Sequence, residues 1–158
     1  MRVSILTISD TVSRGEREDV SGPALVNRCR ELGWEVNSAL RCSDDPANIR
    51  TILRELADSR RVDVILTTGG TGLGPRDNTP EATNDVAERI IPGLAEELRR
   101  KGAEKTPTAI LSRGVAVIRH HSVIINLPGS PKGAVESLDA VAGILPHAVH
   151  VLNGARHD

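Results

Sequence analysis

Aromatic side chains are nearly missing from this chain of 158 residues, which has one tryptophan, Trp34, and neither phenylalanine nor tyrosine. That excludes single-strand nucleic-acid platforms built on stacked aromatics, and it leaves Val, Ile, Leu and Ala to form the core. An excess of either charge is missing too. Twenty Lys and Arg face 21 Asp and Glu, a net charge of −1, so no whole-molecule field points to nucleic acid or to a membrane surface. The two cysteines, Cys29 and Cys42, form no CxxC pair and read as buried free thiols of a reducing compartment. No apolar run is long enough to span a bilayer, and Met1-Arg2-Val3 leads into a strand pattern without a signal peptide. The expectation is a cytoplasmic protein with no membrane span, folded as one domain over 1–158, with no internal repeat or low-complexity linker.

The apolar pattern alternates between strand and helix periods. Residues 3–9 read as a central strand, followed by a polar segment to Asp19 that suggests a mobile surface. Ser21-Gly22-Pro23 starts a helix with Leu25, Val26, Cys29 and Leu32 on one face and Gly33 as its stop. Residues 34–42 form a second strand, and Asp45 before Pro46 caps a helix that buries Ile49, Ile52, Leu53 and Leu56. Residues 62–67 are a third strand. Thr79-Pro80 opens a helix expected to carry Ala82, Val86 and Ile90, and Pro92-Gly93 breaks it. Residues 94–101 form another short helix ending at Gly102, and 103–111 take no assignment. Strands at 115–118 and 123–127 make a hairpin. Ser130-Pro131 opens a helix with Val135, Leu138 and Val141, and a last helix carries Ile144, Leu145, Val149 and Leu152 before a frayed tail from Asn153. The alternation specifies an α/β fold, three-layer α/β/α, with a mainly parallel sheet plus a β-hairpin. Three helices start at a polar residue followed by proline, each just after a strand. Their N-termini are expected to face one crevice that favours anions.

The segment that concentrates chemistry is Thr67-Thr68-Gly69-Gly70-Thr71-Gly72-Leu73-Gly74-Pro75-Arg76-Asp77-Asn78-Thr79-Pro80. Its glycines leave no bulk between backbone and ligand, so amides can turn toward a phosphate. Asp77 is the loop's carboxylate, and a carboxylate facing phosphates implies a divalent cation between them. The pattern is neither GxxxxGK[ST] nor GxGxxG, since Pro75 stands at the third glycine position. Each residue also has a plainer reading. The loop could be a turn shaped for packing, Asp77 a cap for the helix at Thr79, Asp44 a solvated acid beside the cap Asp45, and Arg76 a solvated cation. Lys132 at a helix start opposes the helix dipole and makes more sense with an anion nearby, with Ser112-Arg113 a lesser candidate for the same work. His120 and His121 sit at the hairpin tip, and His147, His150 and His157 in or after the last helix, none with a zinc-site context. No serine stands in GxSxG, so covalent catalysis is not indicated.

Together these motifs resemble the MogA/MoaB family of molybdenum cofactor biosynthesis. Thr68-Gly69-Gly70-Thr71-Gly72 with the run from Pro75 to Thr83 is similar to its first signature. Ser112-Arg113 and Leu127-Pro128-Gly129-Ser130-Pro131-Lys132 are similar to its second. Ile8-Ser9-Asp10, with Asp19 and Ser21-Gly22, resembles its N-terminal pattern. The resemblance covers nearly the whole chain in the same order. It implies a homotrimer that binds molybdopterin and, in the MogA-like branch, transfers AMP from ATP to the pterin's terminal phosphate with Mg2+. It also implies contact with the molybdate-inserting enzyme. On this reading Asp77 and Asp44 hold the metal. Thr68, Gly69, Gly70, Thr71, Gly72, Ser9, Ser112, Arg113, Gly129, Ser130, Pro131 and Lys132 bind nucleotide or pterin. Asn78 stands where the family commonly has valine, and Ser43 where proline is usual. These departures leave open the branch, and with it the alternative of a carrier that binds molybdopterin without chemistry.

Overall fold

A computed structural model of the protein describes residues 1–155. Six strands form one sheet: β1 (Arg2–Ile8), β2 (Glu35–Cys42), β3 (Val64–Thr68), β4 (Arg89–Ile90), β5 (Ala116–Arg119) and β6 (Ser122–Leu127), in the order β2-β1-β3-β6-β5-β4. β2, β1, β3 and β6 run parallel, while β5 is antiparallel to β6, and β4 to β5. The helices are α1 (Asp10–Ser13), α2 (Ser21–Glu31), α3 (Pro46–Asp58), α4 (Thr79–Val86), α5 (Pro92–Lys105), α6 (Pro131–Val141) and α7 (Leu145–Leu152), with a 3-10 turn at Pro107–Leu111.

The strands are apolar on both faces because helices cover both faces. Val3, Ile5, Val64, Leu66, Val123 and Ile125 point into a core shared with α2, α5, α6 and α7. Their chain neighbours Leu6, Ile65 and Ile124 point the other way, with Val117 of β5, against α3 and α4. The period-2 reversal of side chains thus sorts one continuous apolar run into two cores. The three-layer expectation holds, and the hairpin is β5–β6. No single helix among the described residues is long and apolar enough to cross a membrane.

Several local expectations are corrected. Ile90 is not in a helix: α4 stops at Val86, Ala87 turns extended, and Glu88 and Ile91 donate to the carbonyls of Ile118 and Ala116. The open edge of β5 captures this backbone as a short strand, a long-range pairing that no local pattern announces. Gly102 does not end α5, which continues to Lys105. A Cβ at Gly102 would lie 2.9 Å from the Ala109 methyl, so the glycine lets the 3-10 turn pack against the helix. The polar segment after β1 is also held. Ser9 caps α1 by accepting from the Val12 amide, and Asp19 accepts from Thr7 Oγ1 at 2.9 Å and from the Gly22 amide at 3.0 Å. His120 is not simply solvated. It meets Asp58 and Glu88, each at 3.1 Å. His157 lies outside the described residues.

Candidate functional site

The strand order reverses direction at β1. From there the chain goes outward to β2, then back across to β3 and β6. In such sheets the loops leaving the carboxyl ends of the strands on either side of the reversal diverge and leave a crevice. Here those loops carry Ser9-Asp10 after β1 and the glycine loop after β3, and the loop after neighbouring β2 brings Asp44.

Gly69 sits where three strand ends converge. Its amide donates to the Leu127 carbonyl at 3.2 Å, a Cβ on it would overlap the Ile8 carbonyl oxygen, and Gly129 packs on it. Gly69 and Gly70 adopt φ of +102° and +68°, conformations glycine reaches without steric cost. Thr79 then fastens the loop from below, its amide donating to the Gly70 carbonyl at 3.1 Å and its hydroxyl to the Gly69 carbonyl at 2.9 Å. With carbonyls turned toward Thr79, the amides of Gly70, Thr71, Gly72 and Leu73 donate to no atom among the described residues. A run of unused amides on a positive-φ turn is the backbone arrangement that takes an anion.

On one side of the loop lie the acids. A Cβ on Gly70 would come 3.3 Å from Asp44 Oδ1, and one on Gly72 or Gly74 would come 2.9 Å from Asp77 Oδ2. Asp77 does not cap α4. Its carboxylate accepts from the Gly74 amide at 2.8 Å, while Asn78 occupies the cap position without a side-chain bond to the helix amides. Burial raises the Asp44 pKa, as do the charges of Asp10 and Asp77, against the Asp10 amide and Arg76, which lower it. Hydrogen bonding from Arg76 lowers that of Asp10.

On the other side a cavity of about 730 Å³ opens between α5, the 3-10 turn and α6. Thr71, Gly72, Ser112, Asn126, Ser130 and Ser137 are among its lining residues, so the glycine loop forms its wall. Asn126 makes a buried floor: its side-chain amide donates to Thr67 and Thr83 hydroxyls, each at 3.0 Å, and its oxygen accepts from the Val115 amide. Thr68 reaches across to the Pro128 carbonyl at 2.7 Å, joining the loop to the second turn. Ser130 caps α6 by accepting from the Gly133 amide at 3.1 Å and lines the cavity with Pro128 and Gly133, while Gly129 packs on Gly69 and Pro131 is the first residue of α6.

The two cations that the sequence singles out differ in how firmly they are held. Arg113 holds the loop, with Nε on the Gly72 carbonyl at 2.8 Å, one Nη on the Asp77 carbonyl at 2.7 Å and the other on Glu81. Lys132 is 87% exposed and lies 4.0 Å from Glu136, one turn further along α6. Ser9 lies at the α1 start, near the acids. The residues that sequence reasoning left unassigned are Asp10, which contacts Asp44 through two hydrogen bonds, and Arg76, bound to Asp10. Reciprocal contacts between loops 34 positions apart carry no sequence signal.

Burial raises the thiol of Cys42 to about 12, Asp44 adding to it, and that of Cys29 to about 11. Neither is a thiolate near neutral pH. Neither cysteine is therefore an activated nucleophile, and what the arrangement offers is binding and charge placement.

Comparison with known proteins agrees with this anatomy. The family model described as a probable molybdopterin binding domain matches residues 4–147. A molybdopterin adenylyltransferase of Escherichia coli is 42% identical over 144 residues, 89% of this chain and 73% of that protein. One from Helicobacter pylori is 38% identical over 161 residues, 98% and 89% of the two chains. The crystal structure of the molybdopterin biosynthesis enzyme MoaB from Thermus thermophilus has a TM-score of 0.91 at 50% identity and covers 99% of each chain. With the glycine loop, the second turn and the sheet order all in place, the chain belongs to the MogA/MoaB family of molybdopterin-binding proteins.

Proposed function

We propose that this protein acts in molybdenum cofactor biosynthesis as a molybdopterin adenylyltransferase, moving AMP from ATP to the terminal phosphate of molybdopterin and releasing pyrophosphate. The observation that carries the proposal is the two-sided loop: unused amides with carboxylates on one side and a 730 Å³ cavity on the other. Two phosphorylated substrates meeting across one amide-rich turn fit that arrangement. The relatives named as adenylyltransferases support the same reaction.

In the reaction an oxygen of the pterin phosphate forms a bond to the α-phosphorus of ATP, and the bond from that phosphorus to the bridging oxygen breaks. Pyrophosphate carries away the electron pair. The substrate supplies the nucleophile, so the chain's task is to align the two phosphates and offset their charge. The amides of Gly70 to Leu73 are the donors for phosphate oxygens, and Thr68, Thr71, Ser112, Ser130 and Asn126 fix the pterin side. Arg113 keeps Gly72 and Asp77 in place.

Among the described residues, no group of three or more His, Cys, Asp or Glu is disposed to hold a metal. Two carboxylates, Asp44 and Asp77, suit Mg2+ that arrives with a triphosphate and keeps water in its shell, the usual way Mg2+ is held. Bound there, the ion would neutralise charge developing on the phosphates. Asp44 has the chemistry for this, because a carboxylate partly stripped of water is relieved by a cation.

The chain works as one domain in the cytoplasm, as a homotrimer that passes its product to the molybdate-inserting enzyme. The exposed apolar side chains Leu73 and Leu111 in the cavity lining support an assembly, which light scattering on the purified protein tests. Incubation with molybdopterin, ATP and Mg2+ tests the reaction: pyrophosphate and adenylylated pterin are expected. Pterin retention without pyrophosphate would instead identify a carrier.

A further inference from the structure

We infer that Asp10 is a positioning residue that fixes the two cation-holding carboxylates relative to each other, a role that rests on the metal-dependent reading above. Asp10 and Asp44 exchange hydrogen bonds in both directions. The Asp10 amide donates to Asp44 Oδ2 at 2.9 Å, and the Asp44 amide donates to Asp10 Oδ1 at 3.0 Å. Arg76 binds both carboxylate oxygens of Asp10, Nε to Oδ2 at 3.1 Å and Nη2 to Oδ1 at 3.0 Å. Arg76 precedes Asp77 in the chain. Asp10 therefore ties the segment bearing Asp44 to the segment bearing Asp77.

Each acidic segment also has anchors that stay on its own side. Asp77 is held by the Gly74 amide and, through its carbonyl, by Arg113. The Asp44 segment is held through the Cys42 carbonyl and the Asp45 cap. Among the described residues, two side-chain links cross between the segments: Arg76 to Asp10, and the Asn78 amide to the Asp44 carbonyl at 3.2 Å. Arg76 is a forked donor matched to a carboxylate, so this crossing link fixes orientation as well as distance. It also occupies both oxygens of Asp10, which leaves that acid unsuited to bind the ion and suited to aim Asp44. Outer hydrogen bonds of this kind typically alter metal affinity about 10- to 100-fold when removed.

The test uses the whole protein with a non-hydrolysable ATP analogue, and reads Mn2+ affinity by electron paramagnetic resonance and molybdopterin retention in parallel. Asp10→Ala is expected to weaken Mn2+ binding about tenfold or more while molybdopterin retention stays at the parent level. Asp10→Asn should fall between, since its amide oxygen still accepts from the Asp44 amide but loses the charge of Arg76's partner. Arg76→Ala should weaken Mn2+ binding less than Asp10→Ala, and Asp10→Ala with Arg76→Ala should be no weaker than Asp10→Ala alone, because Arg76 acts through Asp10. Should Asp10→Ala fail to fold by circular dichroism, Asp10→Asn and Arg76→Ala carry the same test. Unchanged Mn2+ affinity in the folded Asp10 variants, or additive losses in the double variant, would overturn the inference. Asp44→Ala separates the two levels. If it binds Mn2+ as the parent does, the cation reading itself fails. If it abolishes binding while the Asp10 variants are normal, the positioning role alone fails.

Discussion

The two sides of the glycine loop are built on opposite principles. The acidic side is held by long-range hydrogen bonds among charged groups that remain partly exposed, Asp10, Asp44 and Arg76. The cavity side is held by helix packing, with hydroxyls and the Asn126 amide beside apolar side chains such as Leu98 and Leu111, and with charged residues such as Arg99, Lys101 and Glu136 also in its lining. A charged arrangement of the first kind is sensitive to one atom and adds little to stability. A packed arrangement of the second kind tolerates polar changes but not changes of volume. The difference fits the proposed division, with charge placed on one side and the pterin enclosed on the other.

Asp77→Asn should separate the two sides most sharply. Adenylyl transfer, followed as pyrophosphate release, is expected to fall about 100-fold or more, as when a group aimed at transition-state charge is lost, with molybdopterin retention intact. Equal rates in variant and parent would remove Asp77 from the acidic role.

Gly70→Ala should instead harm both sides together. The residue has φ of +68° and a Cβ would strike the Thr79 hydroxyl, so a loss of about 1–3 kcal/mol in unfolding free energy is expected. Transfer and pterin retention should drop in parallel, and a change in only one would mean that the loop is not shared.

Filling the cavity with Thr108→Trp, a change at an exposed part of its wall, should weaken molybdopterin retention about tenfold, or 1.4 kcal/mol. Mn2+ binding with the ATP analogue should not move.

Asp44→Asn tests the electrostatic side through pH. The folded-state pKa of Asp44 is raised, chiefly by burial, so the neutral form is favoured by folding. The stability this gives is present below the unfolded-state pKa and is lost as pH rises through the folded-state value. Without metal or nucleotide, Asp44→Asn should therefore melt higher than the parent at pH 7, and the gap should close in acid. Mg2+ with the ATP analogue should raise the parent's melting temperature more than the variant's. Lys132→Gln is the smallest expected change, within about 0.5 kcal/mol of stability, because the lysine is exposed and its contact with Glu136 is long.

How legible each side was follows from the range of its interactions. The caps Asp45 and Ser130 were readable because the capped amides lie two or three residues on. The glycine loop was readable because backbone freedom is a property of the residue itself. Arg113 was readable as a cation near the loop, but not its bonds to the Gly72 and Asp77 carbonyls, 41 and 36 positions away. Asp10 and Arg76 looked like ordinary loop charges, since their significance is each other, 66 positions apart.

By itself the sequence determined the layers and the chemistry available at the strand ends. Apolar period and turn residues act over a few positions and so are written locally. The tertiary structure alone decided which acids meet, which cation is already committed, and that a stretch beginning as helix α4 would surrender Arg89–Ile90 to the sheet edge. Each of those outcomes depends on distances between segments remote in the chain, and such distances exist only once both cores have packed.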